Sequence, residues 1–174
     1  MSESVQGHRE SAPESVRIAV LTISDTRTPE TDTGGDIIER SMKGAGHEVV
    51  AREIVRDEAS SIRTVLIDLL ARPDVDAVVT TGGTGISGRD TTYEVVDRMI
   101  EKKLDGFGEI FRMLSYEEIG AAAVLSRAVA GAIGTKFIAS LPGSRNAVRL
   151  GAEKLLVPEI AHVVFELRKH QEKE

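Results

Sequence analysis

The stretch that most constrains this chain is Val78-Val79-Thr80-Thr81-Gly82-Gly83-Thr84-Gly85-Ile86-Ser87-Gly88-Arg89-Asp90-Thr91-Thr92-Tyr93-Glu94, where an apolar run gives way to glycines and then to helix-start residues. Asp76 to Thr80 reads as a short strand buried on both faces, as parallel strands are. Thr91-x-x-Glu94, ahead of Val95, Val96, Met99 and Ile100, reads as a capping box that starts a helix over 92–101. Gly83-x-Gly85-x-x-Gly88 has dinucleotide-motif spacing, but that motif opens a helix within its glycines and leads to a second strand ending in an acid. Here Arg89-Asp90 intervene and Lys102 to Gly106 follow without a strand, which argues against a nicotinamide or flavin site. A tight strand-to-helix turn needs two or three glycines, whereas this loop has four in seven residues, interleaved with hydroxyls. Its backbone N–H groups at the carboxyl end of a strand suit a phosphate.

The rest of the chain supplies neighbours for that loop. Val16 to Ile23 reads as a first buried strand ending in Ser24-Asp25, which serve equally as turn formers and as site residues. Thr33 with Asp36 caps a helix closed by Gly46, and a second strand spans His47 to Val55. His47 reads as a surface residue at the strand entrance, since no second ligand stands at metal spacing. His8, His162 and His170 are assigned no chemistry. Ser60 is the expected N-cap of a helix with Ile62, Val65, Leu66, Leu69 and Leu70 on one face. Asp57, either a helix-start acid or a site residue, is placed beside the glycine loop if neighbouring strands pair.

Gly106 to Arg127 reads as two short helices with more apolar surface than a small sheet needs, either core or a subunit contact. Ala130 to Ile133 and Lys136 to Leu141 are further strands. The second runs into Pro142-Gly143-Ser144, a turn opening the last helix, where Pro158 forces a kink or restart. The expected fold class is α/β, three layers around a mostly parallel sheet. One domain over 15–168 is flanked by a flexible tail at 1–14 and a charged end at 169–174.

Composition bounds the function. The formal net charge of −6 disfavours a general nucleic-acid binder while leaving small anionic ligands open. The absence of cysteine excludes disulfides and thiolate metal sites, and there is no long apolar run, so a cytoplasmic protein without membrane association is expected. No nucleophilic triad is in view. Carboxylates beside a phosphate cradle remain, each repelled by roughly 4 kcal/mol at about 4 Å from a phosphate charge at an effective dielectric of about 20, so two of them call for a cation. Mg²⁺ held by one or two carboxylates plus substrate phosphates answers that need and points to phosphoryl or nucleotidyl transfer. Asp90 is the leading candidate, with a helix-start acid as its structural alternative.

Together, Thr81-Gly82-Gly83-Thr84-Gly85, Arg89-Asp90-x-Thr92-x-Glu94, Ile23-Ser24-Asp25, Asp32-Thr33-x-Gly35 and Leu141-Pro142-Gly143-Ser144 resemble the MoaB/MogA family of molybdenum-cofactor biosynthesis proteins over about Val16 to Ile160. Asp105 to Gly120 resembles the MoaB branch in particular. The resemblance implies a molybdopterin-binding fold and, for active members, transfer of AMP from Mg-ATP to the terminal phosphate of molybdopterin with release of pyrophosphate. It assigns Asp57 and Asp90 as catalytic and metal-associated. Gly82, Gly83, Thr84 and Gly85 become the nucleotide loop, with Ser24, Asp25, Arg89, Thr92, Pro142, Gly143 and Ser144 completing the binding site. It further implies a trimer or hexamer and leaves open direct contact with the molybdate-insertion enzyme. Two departures stand out: Asp90-Thr91-Thr92-Tyr93-Glu94 lacks the family's usual proline at the helix start, and Gly34 replaces a frequent serine. The alternatives are a non-catalytic molybdopterin-binding oligomer that stores or delivers the pterin, and nucleotide pyrophosphatase chemistry on the same fold.

Overall fold

A computed structural model describes residues 13–169. Six strands form one sheet in the order β2-β1-β3-β6-β5-β4. They are β1 (Arg17–Ile23), β2 (Glu48–Val55), β3 (Ala77–Thr81), β4 (Lys102–Lys103), β5 (Val129–Ile133) and β6 (Lys136–Leu141). The four strands β2, β1, β3 and β6 run parallel, and β5 and β4 pair antiparallel at one edge. Both faces are covered, which explains why the central strands read as unbroken apolar runs. On one face Ile18, Val20, Val79 and Ala139 pack against α1 (Thr33–Gly44), α4 (Asp105–Ile119), α5 (Arg145–Gly151) and α6 (Val157–Arg168) through Ile38, Phe111, Val148 and Ile160. On the other, Ala19, Leu21, Val78 and Ile138 meet α2 (Ala59–Ala71) and α3 (Thr92–Met99) through Ile62, Leu66 and Val96. The three-layer α/β expectation therefore holds. Phe111 is fully buried, so its truncation to alanine would cost about 3–5 kcal/mol.

Several local readings are corrected. The segment 102–106 does contain a strand, the two-residue β4, because Lys102 and Lys103 find partners in Ala132 and Gly131. The 106–127 segment divides into two helical pieces as expected, but the first, α4, is long and the second, Gly120–Leu125, is 3₁₀. Asp32, not Thr33, caps α1 by accepting from the Gly35 N–H at 2.9 Å. Helix α2 begins one residue ahead of Ser60, after Glu58. His47 is buried, not at the surface, and burial lowers its pKa. Ahead of Pro158, which has no N–H to give, the last helix widens into a π turn at Ala152–Leu156. Residues 1–12 of the expected tail and 170–174 of the charged end, with His8 and His170, lie outside the described residues.

Candidate functional site

The carboxyl ends of β1, β3 and β6 bring Ser24-Asp25, the glycine loop and Pro142-Gly143-Ser144 to one edge of the sheet. Asp57 does not arrive from a neighbouring strand as expected, since β1 lies between β2 and β3. It reaches the loop across the end of β1, and its backbone N–H donates to Asp25 Oδ1 at 3.3 Å.

Glycine at the start of the loop is imposed by close approach. A Cβ on Gly82 would stand 2.2 Å from the Ile23 carbonyl oxygen. Gly83 has φ +62°, and a Cβ there would fall 2.2 Å from Thr92 Oγ1 and 2.4 Å from Asp57 Oδ2. Beyond that turn, the N–H groups of Gly83, Thr84, Gly85 and Ile86 have no acceptor among the described residues. Four successive donors without protein partners, at the carboxyl end of a central strand, are left available to an anion.

The carboxylates stand beside it. Asp57, 8% exposed, accepts at Oδ1 from both the N–H (3.1 Å) and the hydroxyl (2.9 Å) of Thr91. Thr91 is the residue preceding α3, yet its hydroxyl makes no cap bond, so the expected capping box is absent: a charged acceptor has taken the hydroxyl. Asp90 accepts at Oδ2 from the Ser87 N–H (3.0 Å) and hydroxyl (2.5 Å) and faces Gly85. Asp57 Oδ2 and Asp90 Oδ1 accept no hydrogen bond, and neither carboxylate has a salt-bridge partner among the described residues. A free carboxylate oxygen of Asp90 at the wall of the larger hollow suits a hard, oxygen-loving cation that arrives with ligand phosphates. Among the described residues no group of three or more acidic or histidine side chains could hold a metal unaided.

Arg89 is exposed and pairs with Asp25 Oδ2 at 2.9 Å, which holds that carboxyl below its ordinary range. Ser24 Oγ accepts from the N–H groups of Thr26 and Arg27, a turn-forming role. Thr92 is fully buried beneath Gly83: its N–H donates to the Gly83 carbonyl at 2.9 Å and its hydroxyl has no partner. Ser144 caps α5 by accepting from the Ala147 N–H.

Two hollows meet here. One, about 400 Å³, is lined by Gly83, Thr84, Gly85, Asp90, Pro142, Gly143 and Ser144, together with Ser115, Leu125 and Asn146. The other, about 260 Å³, is lined by Thr22, Ser24, Asp32, Thr33, Gly34, Gly82 and again Gly143. Asp57 and Thr92 line neither and lie behind the loop.

A family model described as a probable molybdopterin binding domain matches residues 19–162. The molybdenum cofactor biosynthesis protein B of Bacillus cereus is 49% identical over 167 residues, covering 95% of this chain and 99% of that one. The chain belongs to the MoaB/MogA family of molybdenum-cofactor biosynthesis proteins, in its MoaB branch. A crystal structure of a molybdenum cofactor biosynthesis protein B superposes with a TM-score of 0.89 at 49% identity, over 92% of this chain and 100% of that chain. The tungsten cofactor synthesizing protein MoaB from Pyrococcus furiosus follows at 0.79 and 39%, over 90% and 99%.

In this MoaB-branch chain the sequence reading missed Arg127. It stands between the 3₁₀ turn and β5, and its guanidinium donates from Nε to the Thr84 carbonyl (2.8 Å) and from Nη2 to the Gly85 carbonyl. Glu94, expected to reach back to the cap, pairs with Arg127 instead, and the guanidinium lies 4.7 Å from the centre of the Tyr93 ring. A lone arginine ahead of an apolar strand carries no periodicity or motif that would have found it. Among the described residues no helix is long and apolar enough to cross a membrane.

Proposed function

We propose that this protein is a molybdopterin adenylyltransferase that uses Mg-ATP. A terminal phosphate oxygen of molybdopterin attacks the α-phosphorus of ATP. The new P–O bond forms as the bond to the β-phosphate oxygen breaks, and pyrophosphate leaves with that electron pair. The observation that carries this reading is the row of unpartnered N–H groups at Gly83 to Ile86, flanked by Asp57 and Asp90, whose free oxygens have no salt-bridge partner among the described residues. Donors fixed in advance where phosphate charge builds are the main catalytic device open to such a loop. Asp90, with Asp57 behind the loop, would hold the magnesium that enters with ATP, and that ion would supply neutralisation of phosphate charge. Two hollows sharing Gly143 suit two ligands that must meet end to end.

A second reading, a pterin-binding oligomer without catalysis, is favoured by Gly34. It brings no hydroxyl to the smaller hollow, and a Cβ there would stand 3.3 Å from the Thr81 methyl. Exposed Ile110, Met113, Tyr116, Ile119, Val124 and Leu125 support assembly into a trimer or hexamer under either reading, and light scattering that gave a monomer would contradict it.

The test is a single-turnover incubation with molybdopterin, ATP and Mg²⁺, following adenylyl-molybdopterin and pyrophosphate together beside a pterin titration. Both products should appear and depend on Mg²⁺, and Asp90→Asn should slow their formation about a hundredfold or more while leaving pterin binding intact. Pterin binding without pyrophosphate would overturn the transferase in favour of the binder.

A further inference from the structure

We propose that Arg127 is a positioning residue that sets the glycine loop in its anion-accepting form, an inference resting on the nucleotide-binding reading of that loop. The trans peptide fixes each C=O opposite the next residue's N–H. Because the Thr84 and Gly85 carbonyls are held by Arg127, the N–H groups of Gly85 and Ile86 are turned the other way, away from the guanidinium. Those two are among the N–H groups without a protein acceptor.

Arg127 does not itself serve as the anion's ligand. Its charge is matched by Glu94, through Nη1 to Oε1 and Nη2 to Oε2. Four of its five N–H donors are thereby engaged, two on the loop and two on the carboxylate. Packing over Tyr93 fixes the plane of the fork. Tyr93 and Glu94 belong to α3, so the guanidinium ties the loop to the helix that follows it. A loop rich in glycine gains little rigidity from its own backbone, and two carbonyls held by one planar group remove much of the freedom that binding would otherwise have to remove. Lysine, a point charge with no fork, cannot hold both carbonyls and the carboxylate together.

The experiment compares wild type with Arg127→Met, Arg127→Lys and Glu94→Gln. Calorimetric titration with Mg-ATP and with pyrophosphate is run beside adenylyl-transfer kinetics and amide hydrogen exchange over residues 83–88. Expected in Arg127→Met is about a tenfold rise in KM for ATP and in both dissociation constants, with a smaller fall in kcat, because the misplaced donors hold the phosphates before reaction as well as during it. Exchange over the loop should rise, Arg127→Lys should recover only a small part of the affinity, and Glu94→Gln should weaken binding by a few-fold at most. Unchanged KM and loop exchange in a folded Arg127→Met protein would overturn the proposal. So would a fall in kcat at constant KM and unchanged loop exchange, which would mean a direct transition-state contact by the guanidinium. If Arg127→Met does not fold, Glu94→Gln and Arg127→Lys carry the test, and wild-type affinity and loop exchange in both would overturn it. If wild type binds neither Mg-ATP nor pyrophosphate, the nucleotide reading itself fails and the clamp's role falls with it.

Discussion

Replacing Gly83 by alanine tests the loop where its geometry is tightest. Two costs add. A side chain at φ +62° sits in the left-handed region, at about 1 kcal/mol. The new Cβ would then stand 2.2 Å from Thr92 Oγ1 and 2.4 Å from Asp57 Oδ2. Neither neighbour yields easily: Thr92 is fully buried, and moving Asp57 disturbs its two bonds to Thr91. Overpacking of this kind costs about 1–3 kcal/mol, for a total of about 2–4 kcal/mol. In a chain of this size that lowers Tm by roughly 5–15 °C. Gly134→Ala is the internal control, because Gly134 has φ +56° and nothing within 4 Å of its Cβ position, so it bears only the backbone cost of about 1 kcal/mol. Calorimetric Tm and urea midpoints of the two variants isolate the collision. If Gly83→Ala fell within about 0.5 kcal/mol of Gly134→Ala, the crowding of Gly83, Thr92 and Asp57 would be refuted, since it is the only difference invoked.

Other consequences follow from charged networks outside the loop. Burial of Asp76 opposes its ionisation, but hydrogen bonds from Arg17 and Arg168 prevail and hold its pKa at about 2, below the ordinary 3.8. A depressed carboxylate stabilises the fold above its unfolded pKa and loses that contribution as pH falls through the folded value. The gap in unfolding free energy between wild type and Asp76→Asn should therefore narrow by about 2 kcal/mol from pH 5 to pH 2, and a constant gap in urea titrations would contradict the pairing. Arg52 donates to Asp32 Oδ2 at 2.8 Å and pairs with Asp36 and Glu39, while Asp32 is 1% exposed. Arg52→Met should cost about 3–5 kcal/mol by leaving that carboxylate without its cation, and a loss under about 1 kcal/mol in urea unfolding would show that Thr22 and Gly35 suffice as donors.

Five of the six strands were legible because a sheet covered on both faces needs apolar strands, as in Val16 to Ile23 and Ala77 to Thr81, whereas the two-residue β4 is formed by exposed lysines and has no such pattern. The glycine loop was legible for a related reason, since four glycines in seven residues are costly unless backbone must approach something closely. Errors collected where a side chain had two partners to choose from. Thr91 and Glu94 have the spacing of a capping box, yet Thr91 goes to Asp57 and Glu94 to Arg127, because charge-assisted bonds to distant groups outweigh a local cap. His47 failed similarly, since its burial depends on packing across the fold and not on its neighbours in sequence.

The sequence alone determined the family, the three-layer α/β class and the residues at the strand ends, because short-range pattern and glycine content are local properties. Only the tertiary structure decided that β1 separates β2 from β3, that Asp57 lies behind the loop, that two hollows share Gly143 and that Arg127 holds the loop carbonyls. Those are contacts between residues some 30 to 60 positions apart, as in Asp57 with Thr91 or Thr81 with Pro142, and no local preference encodes which distant acceptor a donor will find.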